Sequence, residues 1–144
     1  MRNSALTFTV IGILFVGVLG AVIWYASVGT SVAEAEILSR RGLHWHPELT
    51  VYIKREKQII PTDIGLGVVH NPVHTHDASG VVHLEMEGLV RKEDTTLGEF
   101  FRVWNKTFSD FGTTTPRMLV NGAENTELLA YPMKDKDKIE LYFD

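Results

Sequence analysis

The stretch VHTHDASGVVHLEME, residues 73–87, carries three of the six histidines of this chain. At its centre, residues 77–80 (DASG) are typical of a turn between two β-strands, because Asp can bond its own backbone and Gly can adopt a positive φ. We therefore predict a β-hairpin. Its register pairs His74 with His83, Thr75 with Val82, and His76 with Val81.

The two faces of this predicted hairpin differ in chemistry, because successive side chains of a strand point to opposite sides. One face is polar and consists of His74, His76, His83 and Glu85. The other face would pack on a core and consists of Thr75, Val82, Leu84 and Met86. Directly paired Cβ atoms lie about 5 Å apart, close enough for imidazoles to share one ion. The pattern predicts a metal site, and the alternatives are a polar face or a cluster of hydrogen-bonded histidines.

Two more histidines lie upstream in LHWHPELTVYIK, residues 43–54. Odd positions of the run are mostly apolar, so His44 and His46 project together from the other face, about 7 Å apart. A His-x-His pair on a strand indicates a metal site. Pro47 places the pair at a strand entrance or on an edge, because proline breaks the hydrogen-bond ladder.

The sixth histidine, His70, lies in the irregular, glycine-containing segment TDIGLGVVHNP, residues 62–72. It either reaches the same ion as His74 or is an ordinary loop residue. The candidate metal ligands are therefore His44, His46, His70, His74, His76 and His83.

Composition limits both the chemistry and the partners. The chain has 144 residues, no cysteine, a formal net charge of -4 and a sequence pI near 5.8. Without cysteine, neither a disulfide framework nor a thiolate metal site can form. The acidic balance argues against nucleic acid as a partner, since phosphate binding requires a basic face. Beyond its N-terminal segment the chain has the size of one domain.

The N-terminal segment LTFTVIGILFVGVLGAVIWYASV, residues 6–28, contains no charged residue. A helix needs about 20 residues to cross a bilayer, and this segment is long enough. It is also longer than the apolar core of a cleavable signal peptide. We predict an uncleaved transmembrane anchor over residues 1–28, the alternative being cleavage near Ala33, Glu34 and Ala35. The short N-terminal tail favours a cytoplasmic N-terminus and an extracytoplasmic domain. Residues 29–42 are predicted to be a tether, whose SVAEAEILSRR portion could be helical.

The remaining residues, 43–144, combine several strands with one clear helix. Thr96 and Glu99 form a capping box at the start of this helix. The apolar stripe that follows consists of Leu97, Phe100, Phe101, Trp104 and Phe108. Residues 138–143 (KIELYF) alternate as a final strand. This order predicts an α+β domain with a mixed sheet, one amphipathic helix on a sheet face and an inserted His-rich hairpin.

The order of two strands, helix, short strand and final strand, with the ending YPMKDKDKIELYF, resembles the β-grasp fold of ubiquitin and the sulfur-carrier proteins. The resemblance covers residues 43–144 and is interrupted by the histidine hairpin. Sulfur carriers end in an activated Gly-Gly tail, whereas this chain ends in Phe143 and Asp144, so that function is not implied. The motifs HWHP, HTHD, VVHLE and LGEFFRVW also resemble those of uncharacterised membrane-anchored proteins of archaea and bacteria. This second resemblance implies no particular activity.

Two classes of function compete for the histidine cluster. Neutral imidazoles with an occasional carboxylate favour Cu(II), Zn(II) or Ni(II), and an external, cysteine-free domain fits copper or zinc handling or electron transfer to a membrane partner. The first class is a membrane-anchored binding module that captures the ion through His74, His76 and His83, with His44 and His46 as a second pair or as the remaining ligands. The second is a metalloenzyme with three histidines, an open coordination position, and Glu85 or Asp77 as base. No motif for a particular reaction is present, which favours binding.

Overall fold

A computed structural model describes residues 2–28 and 34–143 of the chain, with side chains described for residues 8–25, 27 and 34–143. Residues 29–33 of the predicted tether lie outside the described part. The chain divides into two compact units, Met1–Glu34 and Ala35–Asp144. Helices and strands are both present, so the predicted α+β class is confirmed.

The first unit contains the helix α1, Arg2–Val28. Its apolar part, Phe8–Tyr25, has 18 residues and a mean hydropathy of 2.3. The helix is therefore long and apolar enough to cross a membrane, as the sequence predicted, although a signal sequence has the same character.

The second unit contains ten strands and the helix α2, Leu97–Trp104, which lies between β7 and β8. In chain order the strands are β1 (Ile37–Ser39), β2 (Leu43–Trp45), β3 (Glu48–Ile53), β4 (Glu56–Gln58), β5 (Val73–His74), β6 (His83–Met86), β7 (Val90–Arg91), β8 (Arg117–Val120), β9 (Ala123–Asn125) and β10 (Lys138–Phe143). Part of the predicted tether is thus strand β1, which pairs with β7.

The larger sheet has five strands in the order β4-β3-β10-β8-β9. Its two longest strands, β3 and β10, run parallel, while the other neighbouring strands are antiparallel. The sheet is therefore mixed. The strand β10 lies between β3 and β8, so it joins the pair formed by β3 and β4 to the pair formed by β8 and β9.

The core lies between this sheet and α2. Alternate residues of β3 and β10, such as Val51 and Leu141, are fully buried, as are Leu97 and Phe100 of the helix. Half of the predicted capping box is confirmed, since the Thr96 hydroxyl accepts a hydrogen bond from the Glu99 N–H, whereas the Glu99 carboxylate accepts from Arg102. The buried hydrophobic residues of this core cluster are Leu49, Val51, Ile60, Ile64, Val73, Val82, Leu84, Leu97, Phe100, Phe101, Phe108, Met118, Tyr131, Met133, Ile139, Leu141 and Phe143.

The helix ends earlier than the apolar stripe predicted. Asn105 takes the left-handed conformation with φ 56°, and its N–H bonds to carbonyls of the last turn. Phe108 is buried, but it belongs to a separate 3-10 helix, Phe108–Phe111. The prediction that Phe108 extends α2 was therefore wrong, although the prediction that Phe108 lies in the core was right.

A smaller sheet of three strands, in the order β2-β6-β5, lies beside the core. The run of residues 43–54 is divided at Pro47, with β2 at the edge of the small sheet and β3 in the large one. Proline has no N–H to donate, so neither ladder continues through it. The two sheets meet again at the turn before β6, where the Leu49 N–H donates to the Gly80 carbonyl.

Because of this contact, Gly80 is the position of the turn that tolerates a side chain least. Its φ is +93°, and an added Cβ would collide with the Leu49 carbonyl oxygen. Gly122 has a similar φ of +83° but open space around it, so it is a matched control. We expect Gly122→Ala to cost only the about 1–2 kcal/mol of a positive φ, and Gly80→Ala to cost clearly more. Urea denaturation of both variants in micelles measures the difference in stability. Equal losses of stability would contradict the close approach of Gly80 to the Leu49 carbonyl.

Candidate metal centre

Three of the histidines predicted to form a site, His44, His74 and His83, lie on strands of the three-stranded sheet. His74 on β5 pairs with His83 on β6, which confirms the predicted register at this position. Two residues along β6, Glu85 pairs with His44 on the edge strand β2. The opposite face packs on the core, where Leu84 and Val73 are almost completely buried. Burial of the apolar face thus directs the polar side chains of all three strands to one side.

The predicted pairing does not continue beyond His74. The Val81 N–H donates to the Ser79 hydroxyl within the turn instead of continuing the ladder to His76. The predicted pairs of Thr75 with Val82 and of His76 with Val81 are absent from the ladder, so this part of the prediction was wrong. The Thr75 hydroxyl is fully buried and bonds to Pro61 and Ile64 in the segment before β5, as a buried hydroxyl requires.

The turn itself agrees with the sequence. The Asp77 carboxylate accepts a hydrogen bond from the Ser79 N–H at 2.9 Å, and Gly80 has a positive φ. The Ser79 hydroxyl and then this backbone hydrogen bond lower the pKa of Asp77. The turn brings His76 back beside His74 and His83, although His76 is outside the strand.

Four side chains form the first candidate group of ligands: His74, His76, His83 and Glu85. One ligand atom from each lies within 4.8 Å of the others. The Nε2 atoms of His74 and His76 are only 3.2 Å apart. Two nitrogens bound to one zinc ion at about 2.0–2.1 Å in tetrahedral geometry lie about 3.3 Å apart. This pair is therefore spaced for a shared ion, and the same distance also permits a hydrogen bond between the rings.

The orientation of His74 is set by a backbone group. Its Nδ1 lies 3.0 Å from the Asn71 carbonyl oxygen and donates to it, because a carbonyl can only accept. This bond places the proton on Nδ1 and leaves the lone pair of Nε2 directed at His76. Metal-binding histidines generally have such a partner on the second ring nitrogen.

His83 differs from His74 in lacking a partner for its Nδ1. This atom is buried and has no hydrogen-bond partner among the residues that the structure describes. The nearest Glu85 carboxylate oxygen is 3.6 Å away, too far for a hydrogen bond. A buried polar atom without a partner costs about 1–3 kcal/mol. A bound ion beside His83 would remove such a cost.

A second group shares His83 with the first and consists of His44, His46 and His83. His44 Nε2 is 3.1 Å from the Glu85 carboxylate, and His46 Nδ1 is 3.9 Å from that of Asp135. The same Asp135 oxygen accepts a hydrogen bond from the backbone N–H of His46 at 2.9 Å. Sequence analysis did not single out Asp135, and no local signal points to it, since it lies 89 residues from His46.

Five of the six predicted ligands are thus brought together, and His70 is not. His70 is exposed and belongs to neither group of potential ligands found among the described residues. His70 is nevertheless near enough that its charge makes a small contribution to lowering the pKa of His74.

The central histidines are in the form that binds metals. Burial lowers the pKa of His74 below its usual value, with the Asn71 bond and Glu85 opposing part of the shift. Burial and then the neighbouring His76, His46 and His74 lower the pKa of His83. Both rings are therefore neutral at pH 7, with a lone pair available for an ion.

Comparison with known proteins gives no relative from which a role for this site could be transferred. No family model, curated protein or solved structure was found to match the chain.

The lowered pKa values predict how the metal-free protein responds to acid. Because the unfolded chain titrates near 6.5 and the folded His74 and His83 titrate lower, the unfolded state binds more protons between these values. Stability is therefore complete above about pH 7 and falls as the pH decreases through about 6.5. Urea denaturation in the presence of chelator measures this loss.

The matched variants are His83→Gln and His70→Gln. We expect the first to reduce the dependence on pH and the second, which lies outside both groups, to retain it. A parent protein whose stability is constant from pH 7.5 to 5.5 would contradict the assignment.

Proposed function

We propose that this protein binds a copper or zinc ion through His74, His76, His83 and Glu85. The observation that carries the proposal is the approach of His74 Nε2 to within 3.2 Å of His76 Nε2, with the His74 tautomer fixed by the Asn71 carbonyl. The lone pair of His74 Nε2 is thereby directed at His76 Nε2, at the spacing that two nitrogen ligands of one ion would have. The buried, unpartnered Nδ1 of His83 beside this pair supports the same conclusion.

The identity of the ion follows from its ligands. Three imidazoles and one carboxylate suit Zn(II) and Cu(II), and affinity for such nitrogen sites generally increases up to copper. The chain has no cysteine, so the thiolate sites typical of blue copper are excluded. We therefore propose copper or zinc, in metal handling or in electron transfer to a membrane partner.

Binding is favoured over catalysis because four protein groups converge on one position. A catalytic zinc ion retains an open position for water, whereas four protein ligands complete a tetrahedron. A metalloenzyme remains the second candidate for one reason. The Glu85 side chain is 42% exposed and also contacts His44 at 3.1 Å, so it is the ligand that water would replace most easily.

The N-terminal helix supports a membrane anchor for this binding domain. We propose that α1 spans the bilayer and holds the domain on the extracytoplasmic side, where a cysteine-free imidazole site suits an oxidising compartment. Protease added to intact cells should then degrade the domain while the N-terminus stays protected. A tag at each end, followed by immunoblot, reads the result. Protection of the domain until the cells are lysed would place it in the cytoplasm.

We also propose that the five-stranded sheet and α2 form a β-grasp arrangement. The sheet order, with a parallel central pair and the helix between its second and third strands in sequence, supports this assignment. The histidine hairpin is then an insertion before the helix. A solved structure in which β10 does not pair with both β3 and β8 would contradict it.

Removal of single imidazoles tests the metal site directly. Even loss of a supporting hydrogen-bond partner lowers metal affinity about 10–100-fold, so loss of a ligand should cost at least as much. We expect His74→Ala and His83→Ala to show this loss, measured by calorimetric titration with Zn(II) and Cu(II) at pH 7.5. His70→Ala is the control and should bind as the parent does. If His83→Ala bound both ions as tightly as the parent, the proposed ligand set would be rejected.

A further inference from the structure

Strand β6 lies between β5 and β2, and each of these neighbours contributes a histidine beside it. His74 on β5 pairs with His83 of β6, and His44 on β2 pairs with Glu85, two residues further along β6. Positions two residues apart on a strand lie on the same face, about 7 Å from each other. The small sheet therefore carries two neighbouring cross-strand pairs of potential ligands, one on each side of β6.

Two separate pairs of atoms in this cluster have the spacing of two ligands on one ion. The Nε2 atoms of His74 and His76 are 3.2 Å apart, and His44 Nε2 is 3.1 Å from a Glu85 carboxylate oxygen. Two ligands of one tetrahedral zinc ion lie about 3.3 Å apart. Both distances also suit a hydrogen bond in the metal-free protein, because the lone pairs that bind an ion also accept a proton. The cluster thus offers two positions for an ion.

The two positions are connected by His83 and Glu85. His83 belongs to both groups of potential ligands, and its ring centroid lies 4.5 Å from that of His76 and 4.8 Å from that of His46. The Glu85 oxygen that contacts His44 is also 3.6 Å from His83 Nδ1. A carboxylate has two oxygens and can bind one ion with each. Glu85 therefore lies where a carboxylate would bridge two ions.

Two adjacent dications repel each other, so a second ion requires negative charge close to it. Glu85 supplies one such charge between the two positions. Asp135 supplies another, because its carboxylate oxygen is 3.9 Å from His46 Nδ1 and accepts a hydrogen bond from the backbone N–H of His46. Two imidazoles with carboxylates nearby are a set of ligands that suits zinc and copper. The side of the cluster next to β2 thus has both the lone pairs and the charge for an ion of its own.

We propose, on the basis of the metal-binding function proposed above, that this cluster is a dinuclear centre that holds two copper or zinc ions at once. The ligands form two sets that share the Glu85 carboxylate, which gives one oxygen to each ion. The first set is His74, His76 and His83, and the second is His44 and His46, with Asp135 beside it. Two ions bound in this way lie about 3.5–4 Å apart.

A centre with one ion would use the same residues differently. If His44 and His46 completed the coordination of a single ion, their loss would weaken its binding and leave the number of ions per chain unchanged. In the dinuclear centre, their loss removes one ion and leaves the other in place. The number of ions bound at saturation therefore separates the two arrangements.

The experiment uses the full chain in detergent micelles, purified without a histidine tag and dialysed to equilibrium against Cu(II) or Zn(II) at pH 7.5. Metal per chain is then measured by plasma mass spectrometry. We expect two ions in the parent and one in His44→Gln/His46→Gln, whose replaced side chains are 63% and 42% exposed and so contribute little to the core. The control His70→Gln, which belongs to neither group, should bind two.

Electron paramagnetic resonance of the Cu(II) form tests the shared carboxylate. Two Cu(II) ions a few ångströms apart couple their spins, so the parent should give a weaker signal than the same amount of isolated Cu(II). His44→Gln/His46→Gln should give the full signal of its single ion. Glu85→Gln removes the bridging charge, so it should lose the coupling and bind the second ion at least about tenfold more weakly.

The outcomes separate this proposal from the function on which it rests. One ion per parent chain would overturn the dinuclear centre and leave the metal-binding function intact. Two ions with uncoupled signals would also overturn it, because the ions would then not share Glu85. A parent that bound neither Cu(II) nor Zn(II) would instead reject the metal-binding function itself.

Discussion

The burial of Leu84 is the interaction on which both the fold and the site depend. Leu84 lies on β6 between His83 and Glu85 and is completely buried in the core. A shift of one residue would expose it, at a cost of about 1.5–3 kcal/mol, and would direct His83 into an apolar environment. The hydrophobic effect therefore specifies the direction of the histidines, even though none of them contributes to it. The same alternation holds for Val73 opposite Leu84 on β5.

The site is held in place by one nearby backbone carbonyl and one carboxylate from a distant part of the chain. The Asn71 carbonyl fixes the ring of His74, and the Asp135 carboxylate fixes the backbone at His46. These bonds do not require an ion, so the ligands are oriented before one binds. Orientation before binding reduces the entropy lost when the ion is captured. The exposed Glu85 belongs to the group of His74, His76 and His83 and also contacts His44 at 3.1 Å.

The core that supports the site is independent of any metal. Residues such as Val51, Leu141, Phe100 and Phe101 pack between the five-stranded sheet and α2, and they provide burial that does not involve the histidine face. The small sheet adds Leu84 to this core from one face and leaves its other face for ligands. The core and the candidate site are therefore separate, as the proposed binding of a metal ion to a folded domain requires.

The sequence by itself determined the features that depend on near neighbours: the turn at residues 77–80, the opposition of His74 and His83, the cap at Thr96 and the long apolar N-terminal helix. Each rests on a local preference or on alternation over a few residues. Tertiary structure alone decided which groups the buried Thr75 hydroxyl bonds to, at Pro61 and Ile64. It also placed β2 beside β6 and brought Asp135 to His46 across 89 residues. Such contacts arise from closure of the whole chain, and a local pattern contains no information about which distant segment will meet it.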